Sequence, residues 1–124
     1  MIEENIVPAP FPAALAELEQ KLNGYRYAWK RVYVGITRSP EARWEQHAQD
    51  GWHKMALVYR AFSGGIARDV ERHLIDYSRR CDFTLELTNL GLGGEGLRDA
   101  PGICFVYILV ADRRGVTLRQ RRAG

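Results

Sequence analysis

An α+β domain, with a small mixed or antiparallel sheet of about three strands flanked by helices, is predicted from three features of the chain. One segment alternates strictly between apolar and other residues, as a strand with two unlike faces does. Two further segments repeat their apolar residues at helical spacing and carry recognisable start or stop signals. Strands and helices do not alternate regularly along the chain, which argues against a parallel sheet wound by crossover helices. The length of 124 residues suits one domain, and 46% apolar with 27% charged residues is ordinary for a globular protein.

Residues 1–12 hold three prolines and few strong formers, so a loose lead-in is expected. A single domain is then expected over 13–112, and a basic tail over 113–124. Ala13 to Leu22 places Leu15, Leu18 and Leu22 on one helical face, and Asn23-Gly24 reads as its stop signal. Tyr25 to Trp29 is short, aromatic and ambiguous. Arg31 to Thr37 is a strand with Val32, Val34 and Ile36 on one face and Tyr33, Gly35 and Thr37 on the other.

Ser39-Pro40-Glu41 supplies a helix cap, a proline at the first helical position and an acid in the first turn. The helix should run to about Gln49, with Asp50-Gly51 ending it. Arg43 and His47 are four apart and share a face, with Trp44 and Ala48 on the neighbouring apolar stripe. Met55 to Phe62 reads as a second strand. After Ser63-Gly64-Gly65, the residues Ile66, Val70, Leu74 and Tyr77 repeat with helical period to about Arg79, with Glu71 beside the stripe. Asn89 to Gly96 is a glycine-rich loop, and Ile103 to Val110 is the most hydrophobic strand.

Composition excludes several classes. Cys81 and Cys104 match no metal-ligand spacing and read as small apolar side chains. No basic-then-apolar opening segment is visible, and the run Ile103 to Ala111 is about half of the ~20 residues a membrane helix needs. A soluble cytoplasmic protein without a membrane partner is expected. The net charge is +3, yet Arg113, Arg114, Arg119, Arg121 and Arg122 crowd the end. Residues 1–112 therefore carry 13 basic against 15 acidic groups, a balance of −2. Such a tail could neutralise phosphates or could be a solvated terminus. The glycine-rich loop lacks the Lys-Ser/Thr of a P-loop.

One ordered set of residues narrows the function. The strand Arg31-Val32-Tyr33-Val34-Gly35-Ile36-Thr37 precedes a helix reading Glu41-Ala42-Arg43-Trp44-Glu45-Gln46-His47. A strand, a helix with an internal glutamate (Glu71) and a loop asparagine (Asn89) before glycines follow. In this order and spacing the chain, over about residues 31–96, resembles the GIY-YIG nuclease family. The resemblance implies metal-dependent hydrolysis of phosphodiester bonds, with DNA a better guess than RNA. It implies Glu71 as the ligand of Mg²⁺ or Mn²⁺, which would polarise the phosphate. Arg43 would stabilise the extra negative charge of the transition state. Tyr33 and His47 would take the proton of the attacking water, and Asn89 would fix the glutamate or the loop. Gly35, Arg38, Arg113 and Arg114 are the expected nucleic-acid contacts.

The family opens with a Gly-Ile-Tyr strand about ten residues before its Tyr-Ile-Gly strand. Here Gly24-Tyr25-Arg26-Tyr27 lies too close to Tyr33 to form that hairpin. Pro101-Gly102-Ile103-Cys104-Phe105-Val106-Tyr107 reads like the missing strand, so a permuted arrangement is expected, with Tyr107 or Tyr27 as the second tyrosine. Two other classes stay open: a nucleic-acid-binding module that does not cut, and a protein-interaction domain anchored on Trp29, Trp44 and Trp52. Taken singly, Tyr33, Arg43, His47, Glu71 and Asn89 also suit ordinary strand, helix-surface and turn positions.

Overall fold

The computed structural model describes residues 1–80, 86–87 and 101–113. Its elements are β1 (Ile2–Glu4), α1 (Leu15–Ala28), β2 (Trp29–Thr37), α2 (Pro40–Gln49), β3 (Lys54–Ser63), α3 (Gly64–Arg80), β4 (Glu86–Leu87) and β5 (Pro101–Arg113). The fold is α+β. The sheet has five strands in the order β1-β3-β5-β2-β4, which corrects the expected count of about three. The two additions are edge strands of three and two residues, too short to show an alternating pattern.

The sheet is mixed. β5 pairs antiparallel with both β2 and β3, whereas β1 and β4 add parallel at the edges. The hydrophobic terminal strand therefore occupies the centre of the sheet, immediately beside β2. Val32 faces Val110, Val34 faces Ile108 and Gly35 faces Tyr107 across that ladder.

Alternation on the strands divides the interior into two layers. Val32, Val34, Ile36, Cys104, Val106, Ile108 and Val110 face one side, where α1 contributes Leu18 and Leu22 and α3 contributes Ala67, Val70, Leu74 and Ile75. On the other side Met55, Leu57, Tyr107 and Leu109 form a smaller cluster, against which Tyr33, Trp44, Trp52 and Phe105 pack. Trp44 comes from α2, so α1 and α3 cover one face of the sheet and α2 covers the other. Among the described residues no helix is long and apolar enough to cross a membrane.

Local corrections follow from tertiary partners. The Asn23-Gly24 pair does not end α1. The Asn23 side-chain amide donates to the Tyr77 hydroxyl at 2.7 Å, the Asn5 amide to that of Tyr25 at 3.0 Å, and buried Arg26 to the Ser78 carbonyl at 3.2 Å. These bonds carry the helix past an intrinsically weak position. The lead-in is not loose over its first residues. After β1, the backbone N–H groups of Asn5 and Val7 donate to Leu57 and Val58 of β3 at 2.9 Å, and Val7 is buried.

Candidate functional site

Strand parity places Tyr33 and Tyr107 on the same face of neighbouring strands. Tyr107 stands opposite Gly35, and a Cβ added at that glycine would come within 2.6 Å of the Tyr107 ring and hydroxyl and 3.0 Å of the Tyr33 ring. Gly35 is thus the floor on which the Tyr107 ring rests, a close approach that only glycine permits.

α2 delivers the third member. Ser39 stands at its N-cap and Pro40 at its start, as the sequence indicated, although the Ser39 side chain makes no capping bond. Instead the Ser39 N–H donates to the Thr37 hydroxyl at 3.0 Å, which fixes the exit from β2. About two turns later His47 reaches the sheet, and its Nε2 lies 2.9 Å from the Tyr107 hydroxyl. Depending on tautomer, Nε2 accepts the phenol proton or donates to the phenol oxygen. The ring centroids of Tyr33 and His47 are 5.7 Å apart, and those of Tyr33 and Tyr107 are 6.3 Å apart. Tyr107 is almost wholly buried, whereas Tyr33 and His47 are half-buried and reachable from solvent. A proton can pass between the Tyr107 hydroxyl and His47 Nε2 across their 2.9 Å contact, with the Tyr33 ring packed alongside.

The remaining expected residues divide. Arg43 is half-buried one turn before His47, and its Nη1 donates to the Gln46 side chain at 3.2 Å. Tyr27 is excluded from the cluster: it is 79% exposed on α1, the helix that packs on the opposite face of the sheet. Tyr107 is the tyrosine brought to Tyr33 and His47. Arg38 holds the start of β5, donating to the Ile103 carbonyl at 3.3 Å. Arg113 pairs with Trp29 at the other end of β2, its guanidinium 5.5 Å from the indole centroid. The nine-residue strand sets these two arginines about 27 Å apart, at opposite ends of β2. Asn89, Arg114 and the glycine-rich loop lie outside the described residues.

Glu71 is fully buried, and neither carboxylate oxygen has a hydrogen-bond partner. It belongs to the buried stripe of α3, the helix packed on the face opposite Tyr33 and Tyr107, and the structure does not bring it into their cluster. Burial pushes its pKa up to about 7, against the opposing attraction of Arg68 and Arg72. Mg²⁺ held by one carboxylate completes its shell with waters and phosphate oxygens, and a carboxyl with no exposed surface in an apolar layer does not fit that requirement. Among the described residues no group of three or more His, Cys, Asp or Glu side chains is placed to hold a metal ion.

Sequence reasoning did not place Arg31 beside this cluster, and it read Trp52 only as an anchor of a protein-interaction domain. Arg31 shares strand parity with Tyr33, and its guanidinium carbon lies 4.6 Å from the Trp52 ring centroid. Trp52 in turn lies 6.1 Å from Tyr33, ring to ring. The available signal was position: Arg31 stands two residues before Tyr33, and Trp52 directly follows the Gly51 that ends α2. Compared with protein-family models, curated proteins and solved structures, the chain matches none of them.

Proposed function

We propose that the chain hydrolyses phosphodiester bonds in nucleic acid, DNA in preference to RNA, at a site built on Tyr33, His47 and Tyr107. The observation that carries this reading is the seating of Tyr107, from the last strand, on Gly35 and against His47, beside Tyr33. Together with the order of residues 31–96, which resembles GIY-YIG nucleases, it supplies the second tyrosine that the opening of the chain lacks.

In this reading a water beside Tyr33 and the half-buried His47 gives up its proton to the imidazole, whose Nε2 lies against the Tyr107 hydroxyl. Arg43, always charged, binds the phosphate oxygens as negative charge grows on them. The resemblance would assign Mg²⁺ or Mn²⁺ to Glu71, but that carboxyl is buried on the opposite face of the sheet, and no step is routed through it. A second reading, a module that binds nucleic acid without cutting, is favoured by one observation: Glu71 is buried in the layer behind the sheet.

The test is incubation of the protein with labelled single- and double-stranded DNA and RNA in Mg²⁺, Mn²⁺ or EDTA, beside Glu71→Ala and His47→Ala preparations. Metal-dependent cutting lost in both variants supports the nuclease. Binding without cutting in all three proteins supports the silent module instead.

A further inference from the structure

The tyrosine–histidine cluster continues into a second group of rings. Arg31 and Tyr33 alternate along β2 and so project from the same face. Gly51, at φ +90°, turns the chain after α2, and the Trp52 N–H closes on the His47 carbonyl at 3.4 Å. That turn lays the indole beside Tyr33, at 6.1 Å and tilted by 47°. The resulting series runs from the Arg31 guanidinium to the indole, then to the Tyr33 phenol and the His47 imidazole, with centroid spacings of 6.1 and 5.7 Å between successive rings. All four side chains are half-buried; Trp52 packs against the cluster of Met55, Leu57, Tyr107 and Leu109 and carries Arg31 over its ring, so what it offers solvent is the part these leave open.

A paired duplex covers the faces of its bases and offers an incoming protein only phosphates and groove edges. Ring faces beside a phosphate site are therefore useful chiefly to an unpaired base, which stacks on them whatever its sequence. Residues 1–112 carry a net −2, and α2, which borders the rings, exposes Glu41, Glu45 and Asp50, so affinity at this face would rest on stacking rather than on phosphate contacts. Arg31, held over the indole, adds one cation at the point where a base and its phosphate would meet.

We propose that Trp52, braced by Arg31, is a stacking platform for an unpaired nucleobase, and that the site takes single-stranded nucleic acid. This rests on the proposed function only in that the ligand is nucleic acid; it does not require cutting.

The experiment is fluorescence anisotropy in EDTA with the full chain and labelled probes of equal length: single-stranded DNA, single-stranded RNA, duplex DNA and an abasic single strand. Single strands with bases are expected to bind about ten-fold more tightly than duplex or abasic strand. Trp52→Leu should weaken single-strand binding by roughly 5- to 150-fold, the effect of losing one stacked base, and leave duplex and abasic binding unchanged. Trp52→Phe should keep most of the affinity, and thermal melts of both variants should match the parent closely enough to exclude misfolding. Tighter binding of duplex, equal binding of abasic strand, or an equal effect of Trp52→Leu on every probe would overturn the platform. Binding to no probe would overturn the nucleic-acid reading along with it, whereas single-strand binding indifferent to Trp52 would remove the platform alone.

Discussion

The Tyr107 hydroxyl lies 2.9 Å from His47 Nε2, although the two residues are 60 positions apart. Nothing local imposes this contact. It depends on β5 entering the sheet beside β2 in one register, and on α2 returning across the face that carries Tyr33. Tyr107→Phe removes the hydroxyl and leaves the ring. Cleavage under single-turnover conditions should fall by ~10²-fold or more, while stability changes by about 1 kcal/mol, the worth of one hydrogen bond. An unchanged rate would remove this phenol from the chemistry.

Gly35→Ala tests the floor of the site. Its new Cβ meets the Tyr107 ring and hydroxyl at 2.6 Å, so one side chain must move. A loss of about 1–3 kcal/mol in urea unfolding is expected, with loss of activity. Pairing it with Tyr107→Leu should recover part of that stability, because the ring causes the clash. The two effects will therefore not add.

Glu71 makes stability depend on pH with an uncommon sign. Its folded pKa, about 7, lies above the ordinary 4.5, so the folded state holds the proton to higher pH than the unfolded chain does. In metal-free buffer stability should be greatest below pH 4.5 as far as this group is concerned. It then declines through about pH 7, by on the order of 3 kcal/mol, and loses no more above that. Glu71→Gln should flatten this slope in thermal melts.

Stability at the sheet centre should exceed that at its rim. Ile108 is fully buried between β2 and β3, and Ile108→Ala should cost about 2–5 kcal/mol. Phe62, 69% exposed near the end of β3, should tolerate alanine within about 0.5 kcal/mol. Chemical unfolding curves of the two variants compare them directly.

Much of the fold was legible because its long elements carry strong periodicity. The alternation at 32–37 separated the two faces of β2 correctly, and the spacing of Ile66, Val70, Leu74 and Tyr77 gave α3. Reading Pro101 to Tyr107 as a displaced opening strand anticipated that β5 would lie against β2. What escaped was set by contacts distant in sequence. Asn23 reads as a stop until Tyr77 is there to accept its amide, and β1 has three residues with no pattern until β3 pairs with them. Within the site, Tyr33 and His47 were legible from their order after the strand. Trp52 was not, because an isolated tryptophan after a turn reads as core. The burial of Glu71 behind the sheet was also invisible, since a glutamate beside an apolar stripe normally faces solvent.

The central position of β5 also bears on how the molecule is made. Synthesis proceeds from β2 through β3 and α3 before Pro101 is reached, so both long strands leave the ribosome with an edge that has no neighbour. Every hydrogen bond joining them passes through a strand that emerges later. Such non-local pairing slows folding, and open strand edges invite other chains in the interval. The sheet consequently cannot close until residues 101–113 have emerged, and a nascent chain halted before residue 101 should be held by chaperones rather than protected from protease.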